Sequence, residues 1–511
     1  MALATYFDKN VQAAALLLRG LDSTVLRGIL ESEWIGIYFD KNAVETEEGR
    51  ASLDLVIRLL SRLYPNIVLS ASDSAAKQYL NGLRVQAKRI NPKISITTNL
   101  KRATRALVFG KSVPEQDLAC ANSTWYVGSD NWTAYLSTSK PVRSGNTSNP
   151  FGAGAAACLA CANLFRRVFA SQLHSGAVDK ELEFSVYTLK APDRRAIDPL
   201  LRSIHMEDLH LVGAGAVGNG FLWAINRVDC TGTLHVIDHE TVDESNLQRY
   251  AMAYPADEGS TKSLLAKQWL AEGKSHKLNV LPHNLSWAGY IEQVPGRNTD
   301  TVVSAVDSAQ ARIQIQASLP KRIVNGWTQG GEAGVSRHNF LGDAACLACL
   351  YMPRGEVLNR DQLVLKALRL PDDQLKPIRQ RLQQGTPTDR AFLELIAAHS
   401  KVPLEVLLPY EGRQINDLYV EAICGGAVMA FGSAEADSQA EVPMAFQSAL
   451  AGMLLAAELA VKRDSALNIT QLDLLRPFPD TPSHPSRKSA KSICFCKDED
   501  FTAQYRAKYG A

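Results

Sequence analysis

Three glycines, Gly213, Gly215 and Gly218, follow the apolar run Leu209-His210-Leu211-Val212 at G-x-G-x-x-G spacing. In such a loop the first glycine makes a tight turn. The second lets backbone approach a phosphate, and the third lets the next helix pack closely on the sheet. The free N–H groups at the helix start then face the anion. Asp238 ends the next apolar run, Thr233 to Ile237, at a position where an acid binds ribose hydroxyls. A nucleotide site is therefore expected, although the loop alone fits nicotinamide, flavin and ATP sites alike. The residues after Asp238 narrow the choice. Ser245-Asn246-Leu247-Gln248-Arg249, Lys262 and Asp307 bring an arginine, a lysine and a second acid around one phosphate loop. Hydride transfer needs no pair of cations on a phosphate chain. ATP cleavage does, because cations and Mg²⁺ offset the negative charge that grows in the transition state. Asp307, just after the fourth expected strand of this domain, is placed to hold Mg²⁺.

Sulfur forms a second constellation. Cys346 and Cys349 stand as C-x-x-C, and Cys494 and Cys496 as C-x-C. Four thiolates suit a tetrahedral structural zinc; the alternative is a set of free thiols or a redox pair. Cys424 stands apart in Glu421-Ala422-Ile423-Cys424-Gly425-Gly426. Exposed and deprotonated, it is a nucleophile beside glycines that let an acyl group approach; buried, it only fills space beside a turn. Cys120 and Cys230 are weaker candidates, and Cys158 and Cys161, in an alanine-rich helix, read as core filling.

The elements that must position these residues alternate strand and helix. The fold class expected is α/β, with two Rossmann-like doubly wound domains, the first degenerate, and a helical insertion carrying the candidate cysteine. The division is residues 1–180, an α/β unit without a phosphate loop; 181–204, a linker region; 205–354, the nucleotide domain; 355–435, the leucine- and proline-rich helical insertion; and 436–511, a return helix and a cysteine-bearing tail. In the first unit a helix is expected over Glu47 to Leu63, and a hairpin turns at Ser129-Asp130-Asn131. Asn149-Pro150-Phe151 before GAGAAACLACANLF is echoed by Val442-Pro443-Met444-Ala445-Phe446 before SALAGMLLAAELA. This echo suggests two copies of one fold. Gly326 to Glu332 is read as a loop after the fifth strand. His338 is read as a satisfied structural histidine.

Net charge is +2 over 511 residues, with 46% hydrophobic residues, so nucleic acid is not expected as the main partner. Val442 to Val461 contains Gln447, Ser448 and Glu458 and reads as a buried helix rather than a membrane span. Nine cysteines without a secretion-signal pattern suggest a reducing cytoplasm.

The stretch from Gly213 to Arg312 resembles the adenylation domain of ubiquitin-activating enzymes and of the adenylyltransferases for sulfur-carrier proteins, the ThiF/MoeB-type superfamily. The shared pattern is the glycine loop, the acid at Asp238, SNLQR, the downstream Lys262, and Asp307 followed by Arg312. The resemblance implies that Asp238 binds ribose, that Asn246, Arg249 and Lys262 contact phosphates, and that Asp307 positions Mg²⁺. Two positions depart: the family often has Asp where Glu240 and Ser304 stand, and only Glu240 keeps the charge. The implied reaction is adenylation of the C-terminal carboxylate of a ubiquitin-like β-grasp protein. In thioester-forming relatives the catalytic cysteine lies in an inserted segment, which points to Cys424. In the adenylyltransferases two cysteine pairs hold zinc, which points to Cys346, Cys349, Cys494 and Cys496. The degenerate first domain would pair with the active one as an internal pseudo-dimer, and homo-oligomerisation stays open. In the family an arginine from the partner domain reaches the ATP site; Arg19 and Arg27 are the nearest candidates. The layout also resembles activating enzymes of bacterial antiphage conjugation operons. No separate conjugating-enzyme domain is evident, so that partner would be another chain. The alternatives are a sulfur-carrier or peptide-modifying adenylyltransferase without a thioester step, and a non-catalytic nucleotide-binding scaffold.

Overall fold

The computed structural model describes residues 23–114, 118, 121–173, 175–193, 195, 197–352, 360–400, 402–418, 443–461, 463, 468–478 and 486–510. Arg19, Cys120 and Cys424 lie outside them.

The first α/β domain builds one seven-stranded sheet. Its strands are β1 (Ile35–Phe39), β2 (Asn66–Ala71), β3 (Ser95–Thr97), β4 (Arg105–Phe109), β5 (Thr124–Asp130), β6 (Thr133–Ser137) and β7 (Glu181–Ser185), in the order β3-β2-β1-β4-β5-β6-β7. All five residues of β1 are buried, as expected for a central parallel strand covered on both faces. Helix α1 (Glu47–Leu63) follows β1, capped by the Thr46 side chain on the Gly49 N–H. Helix α2 (Pro150–Val168) lies between β6 and β7 in the chain, with Asn149 as its cap and Pro150 in its first turn.

The second sheet repeats this plan. Its strands are β8 (Ile204–Val212), β9 (Cys230–Ile237), β10 (Asn279–His283), β11 (Thr301–Ser304), β12 (Arg322–Gln329), β13 (Glu332–Asn339) and β14 (Ile469–Asp473), in the order β10-β9-β8-β11-β12-β13-β14. Each sheet is parallel through its first five positions and ends in two antiparallel pairings. The helices repeat as well. Helix α3 (Ala216–Ile225) follows β8 as α1 follows β1; α4 (Lys262–Ala271) precedes β10; and α5 (Ala445–Ala460) lies between β13 and β14 as α2 lies between β6 and β7. The two echoing small-residue helices are therefore topological counterparts.

Two strands fall where the sequence reads as loop. β7 lies inside the stretch taken as a linker, where Leu182 and Phe184 point into the core between exposed or half-buried glutamates. β12 continues through Trp327 to Gln329, turns at Gly330 and Gly331, and returns as β13, so Gly326 to Glu332 is a strand end and hairpin turn rather than a free loop. β13 is hard to recognise because it buries Ser336, Arg337 and His338. Arg337 pairs with Glu458 at 2.5 Å, and His338 has Ala345 O and Ser336 Oγ at 2.8 Å each, so these polar groups are satisfied inside the sheet.

The two domains meet through their small-residue helices. α3 crosses α5 with no room for side chains at the contact: a Cβ on Gly220 would sit 2.6 Å from the Ala449 carbonyl oxygen, and one on Gly452 2.2 Å from that of Val217. α2 joins the seam, where a Cβ on Gly154 would meet Met453 of α5. Glu458 and Gln447 on α5 are fully buried, and the amide of Gln447 donates to the Gly330 carbonyl at 2.7 Å. Among the described residues no helix is long and apolar enough to cross a membrane.

Charge also crosses the seam. Asp54 of α1 accepts from Trp223 Nε1 at 2.8 Å and from Gln86 at 2.8 Å, and pairs with Arg58 and Arg227. Burial pushes the Asp54 carboxyl up, but the two guanidiniums and these hydrogen bonds outweigh it and hold it well below the usual carboxylate range. Arg62 donates to the Tyr250 carbonyl at 3.1 Å, and Arg58 to that of Ala251 at 3.1 Å.

The described residues between 360 and 418 form a separate compact unit. Its described helices include Arg360–Ala367, Leu375–Gln384 and Arg390–Ser400, closed around Val364, Leu368, Ile378, Leu393 and Ile396.

Asp54→Ala leaves Arg58 and Arg227 without their carboxylate and is expected to cost about 3 kcal/mol in urea unfolding near neutral pH. A depressed folded pKa contributes stability above the unfolded value of 3.8 and loses it as pH falls through the folded one. The difference between wild type and variant should thus be constant from about pH 5 to 8 and shrink below about pH 4.

Candidate active site

β8 and β11 are neighbours although two strands separate them in sequence, so the sheet reverses its winding between them. Loops leaving the carboxyl ends of β8, β9 and β11 converge at this switch point, where open α/β sheets bind ligands. The Gly213 N–H donates to Ile237 O at 2.9 Å, and the Ala305 N–H to Val212 O at 2.8 Å, tying the three strand ends together.

The glycine loop has the backbone its sequence requires. Gly213 sits at φ 94°, a left-handed conformation in which side chains are strained. A Cβ on Gly218 would lie 2.4 Å from the Gly213 carbonyl oxygen. Gly215 is the N-cap of α3 and has no side chain to occupy the helix-start amides.

Asp238 is nearly buried. Its carboxylate accepts the Ala214 N–H at 2.7 Å and the Glu240 N–H at 2.9 Å. Burial raises its pKa, opposed by the Lys262 ammonium and these hydrogen bonds. It thus braces the glycine loop from below. Lys262, at the first position of α4, is 4% exposed and pairs with Glu240. Burial pulls the lysine down, but Tyr250, Asp238 and Glu240 outweigh it, so the ammonium stays charged. Glu240 is thereby a partner of the lysine, lowered by that contact against the effect of burial.

Asn246 caps a short helical turn, accepting the Asp243 N–H at 3.1 Å, and Arg249 follows one turn on, half buried. Asp307 is exposed at the end of the β11 loop. Arg312 holds that loop, donating to Asp307 O at 3.1 Å and to Asn325 Oδ1 at 3.1 Å, with Tyr351 against its guanidinium. Ser304 is fully buried in β11.

Two further residues organise the loop. Asn219, fully buried, donates to Ala214 O at 2.9 Å and Gly215 O at 3.0 Å, and accepts the Met252 N–H at 3.1 Å. Tyr250 lies beneath Gly215, its hydroxyl 3.4 Å from where a Cβ would stand, with Lys262 Nζ 5.3 Å from its ring centre. Arg62 of the first domain holds the Tyr250 carbonyl, whereas Arg27 lies on the helix Ser23–Ser32. The only sequence signal for Asn219 and Tyr250 is adjacency, to Gly218 and to SNLQR.

The corresponding place in the first domain is filled. After β1, the Asp40 carboxylate accepts the Asn42 N–H at 2.9 Å and the Lys111 and Ser112 N–H groups at 2.8 Å each, with Ser112 Oγ at 2.7 Å. These donors come from the loops after β1 and β4, the counterparts of those after β8 and β11. An internal carboxylate thus ties these two loops together.

The four expected zinc ligands come together. Cys346 lies 3.7 Å from Cys349 and 3.6 Å from Cys494, and Cys349 lies 3.6 Å from Cys496, sulfur to sulfur, all buried. Sulfurs at about 2.3 Å from a tetrahedral ion stand about 3.8 Å apart, so the cluster fits zinc. Cys158, Cys161 and Cys230 are buried singly in helix or strand, and burial raises each thiol.

Residues 194–459, over half of the chain, match the ThiF family, and the protein belongs to that family. Residues 38–170 match a second model described as prokaryotic E2 family C. The chain is 40% identical to Uncharacterized protein y4jF of Sinorhizobium fredii, over 100% of this chain and 98% of that one. It is 30% identical to Adenylyltransferase and sulfurtransferase UBA4 of Eremothecium gossypii, over 28% of this chain and 32% of that protein. It is 29% identical to Ubiquitin-like modifier-activating enzyme 5 of Drosophila melanogaster, over 29% of this chain and 39% of that protein. It thus spans about a third of the length of the latter two.

The cluster predicts a tightly held zinc. Metal analysis of the purified chain should find it, and Cys346→Ser should release it and lower the Tm. Alkylation of all four thiols at the same rate with and without a strong chelator would show that no metal protects them.

Proposed function

We propose that the second domain uses ATP and Mg²⁺ to adenylate the C-terminal carboxylate of a ubiquitin-like β-grasp protein. The observation that carries this reading is the glycine loop braced by Asp238, with the buried Lys262 ammonium beside Asp238 and paired with Glu240, in a ThiF-family chain. A carboxylate oxygen of the substrate attacks the α-phosphorus of ATP. The bond to pyrophosphate breaks, and an acyl-adenylate remains. The helix-start amides, Asn246, Arg249 and Lys262 take the phosphate charge, Asp238 faces the ribose, and Asp307 would hold Mg²⁺. Alignment of the two reactants supplies much of the rate.

Cys424 is proposed as the acceptor of the activated acyl group. Its thiolate attacks the carbonyl carbon, AMP leaves, and a thioester forms. The acyl group then passes to the cysteine of a conjugating enzyme. The match of residues 38–170 to prokaryotic E2 family C runs against the expectation that no conjugating-enzyme domain is present. We infer that the accepting enzyme is nonetheless a separate chain: of the cysteines in that segment, Cys158 and Cys161 are buried and pushed up by that burial, which suits neither for acyl transfer, and Cys120 lies outside the described residues. The first domain is read as a non-catalytic copy, which its Asp40-filled loop supports. The setting inferred is a cytoplasmic bacterial antiphage conjugation system. A second reading, activation for sulfur transfer without a thioester, is favoured by the similarity to Adenylyltransferase and sulfurtransferase UBA4.

With ATP, Mg²⁺ and a candidate ubiquitin-like protein, the chain should catalyse ATP–pyrophosphate exchange. Lys262→Ala should lower exchange at least about a hundredfold, the scale of losing one charge-stabilising contact. Cys424→Ala should keep exchange and lose a thiol-sensitive protein adduct. An adduct that survives in Cys424→Ala removes the nucleophile assignment, and exchange without any adduct in the wild type favours the second reading. Absence of exchange with every ubiquitin-like partner contradicts the proposal.

A further inference from the structure

Upstream of the glycine loop, β8, β9 and β10 carry a polar cluster on a sheet face that is otherwise apolar. Asp208 and His210 of β8 are two residues apart and share a face with His235 of β9, which pairs with His210 across the ladder. Farther along, the same face becomes the core of Val212, Ile237 and Trp287. One ligand atom from each of Asp208, His210 and His235 lies within 4.8 Å of the others. His235 Nε2 is 2.9 Å from Asp208 Oδ1. Its Nδ1 is 2.9 Å from His283 Nε2 and 3.0 Å from Tyr290 Oη. His210 is 1% exposed, with the Thr301 backbone against its ring, and among the described residues its Nδ1 has no hydrogen-bond partner. A buried imidazole nitrogen left unpaired costs free energy that a ligand would recover.

We propose that Asp208, His210 and His235 form a binding site for a divalent transition metal of the zinc type. Two imidazoles and one carboxylate are a donor set for such an ion. His283 and Tyr290 hold the far nitrogen of His235, as outer partners orient ligating histidines. The site opens to solvent through Asp208, whose side chain is 56% exposed, which leaves access for the ion and room for a water ligand. The His210 and His235 rings now lie nearly parallel, 4.7 Å between centres, so one ring turns when the ion binds. The bound ion replaces the hydrogen bond between His235 and Asp208: the Nε2 proton moves to Nδ1, where His283 Nε2 and Tyr290 Oη stand to accept it, so His235 stays neutral and Nε2 is free for the ion. None of these residues belongs to the glycine loop or to the four-cysteine cluster, so the site stands apart from the adenylation reading.

The test uses the full chain without a histidine tag. After dialysis against a mild chelator it is titrated with Zn²⁺ by calorimetry, alongside His210→Ala, His235→Ala and Asp208→Asn. Wild type should take up one zinc more than either histidine variant. Asp208→Asn, an exposed and conservative change, should weaken that extra site about tenfold or more. Thiol alkylation reports separately that the cysteine cluster is unchanged in every variant. Equal zinc uptake by wild type and both histidine variants, or an Asp208→Asn affinity equal to wild type, overturns the proposal.

Discussion

The helix that starts at the glycine loop is pinned from behind by a helix more than two hundred residues later in the chain. At the crossing of α3 and α5, Gly220 and Gly452 let backbone meet backbone, and any side chain there would force the helices apart. The placement of the helix-start amides under an anion therefore depends on the return helix. So does the seam between the domains, because α2 lies against the same helix. In the chain, the separate unit lies between β13 and α5.

The two copies of the fold differ in what faces the loop after their first strand. In the first, Asp40 accepts the Asn42 N–H there and the Lys111 and Ser112 N–H groups after β4. In the second, glycine leaves the helix start open, and the nearest carboxylate, Asp238, bonds instead to the inner side of the loop. A carboxylate that occupies an anion position excludes a phosphate by charge as well as by space. On this proposal one copy thus serves as a support and the other as a site. Arg58 and Arg62 of the first domain reach across to the carbonyls of Ala251 and Tyr250, directly after SNLQR.

The legible part of this was the part that depends on local chemistry. The glycine loop, the acid after the second strand and the helix Glu47–Leu63 follow from spacing and periodicity. The echo of two small-residue helices pointed to duplication, and the matching strand orders explain it. The four cysteines needed the fold to meet, since C-x-x-C and C-x-C lie some 150 residues apart. β7 and β13 escaped because their buried or alternating polar residues are satisfied by distant partners that no local pattern reveals. Asn219 and Tyr250 escaped for a similar reason. Their work is to hold backbone, which any polar residue beside a motif resembles in sequence.

If one of the two copies binds a nucleotide while the other supplies its own anion, calorimetric titration of the full chain with ATP and Mg²⁺ will show it. About one nucleotide per chain is expected, lost in Gly215→Val and kept in Asp40→Asn. Two nucleotides per chain, or one that survives Gly215→Val, would contradict it.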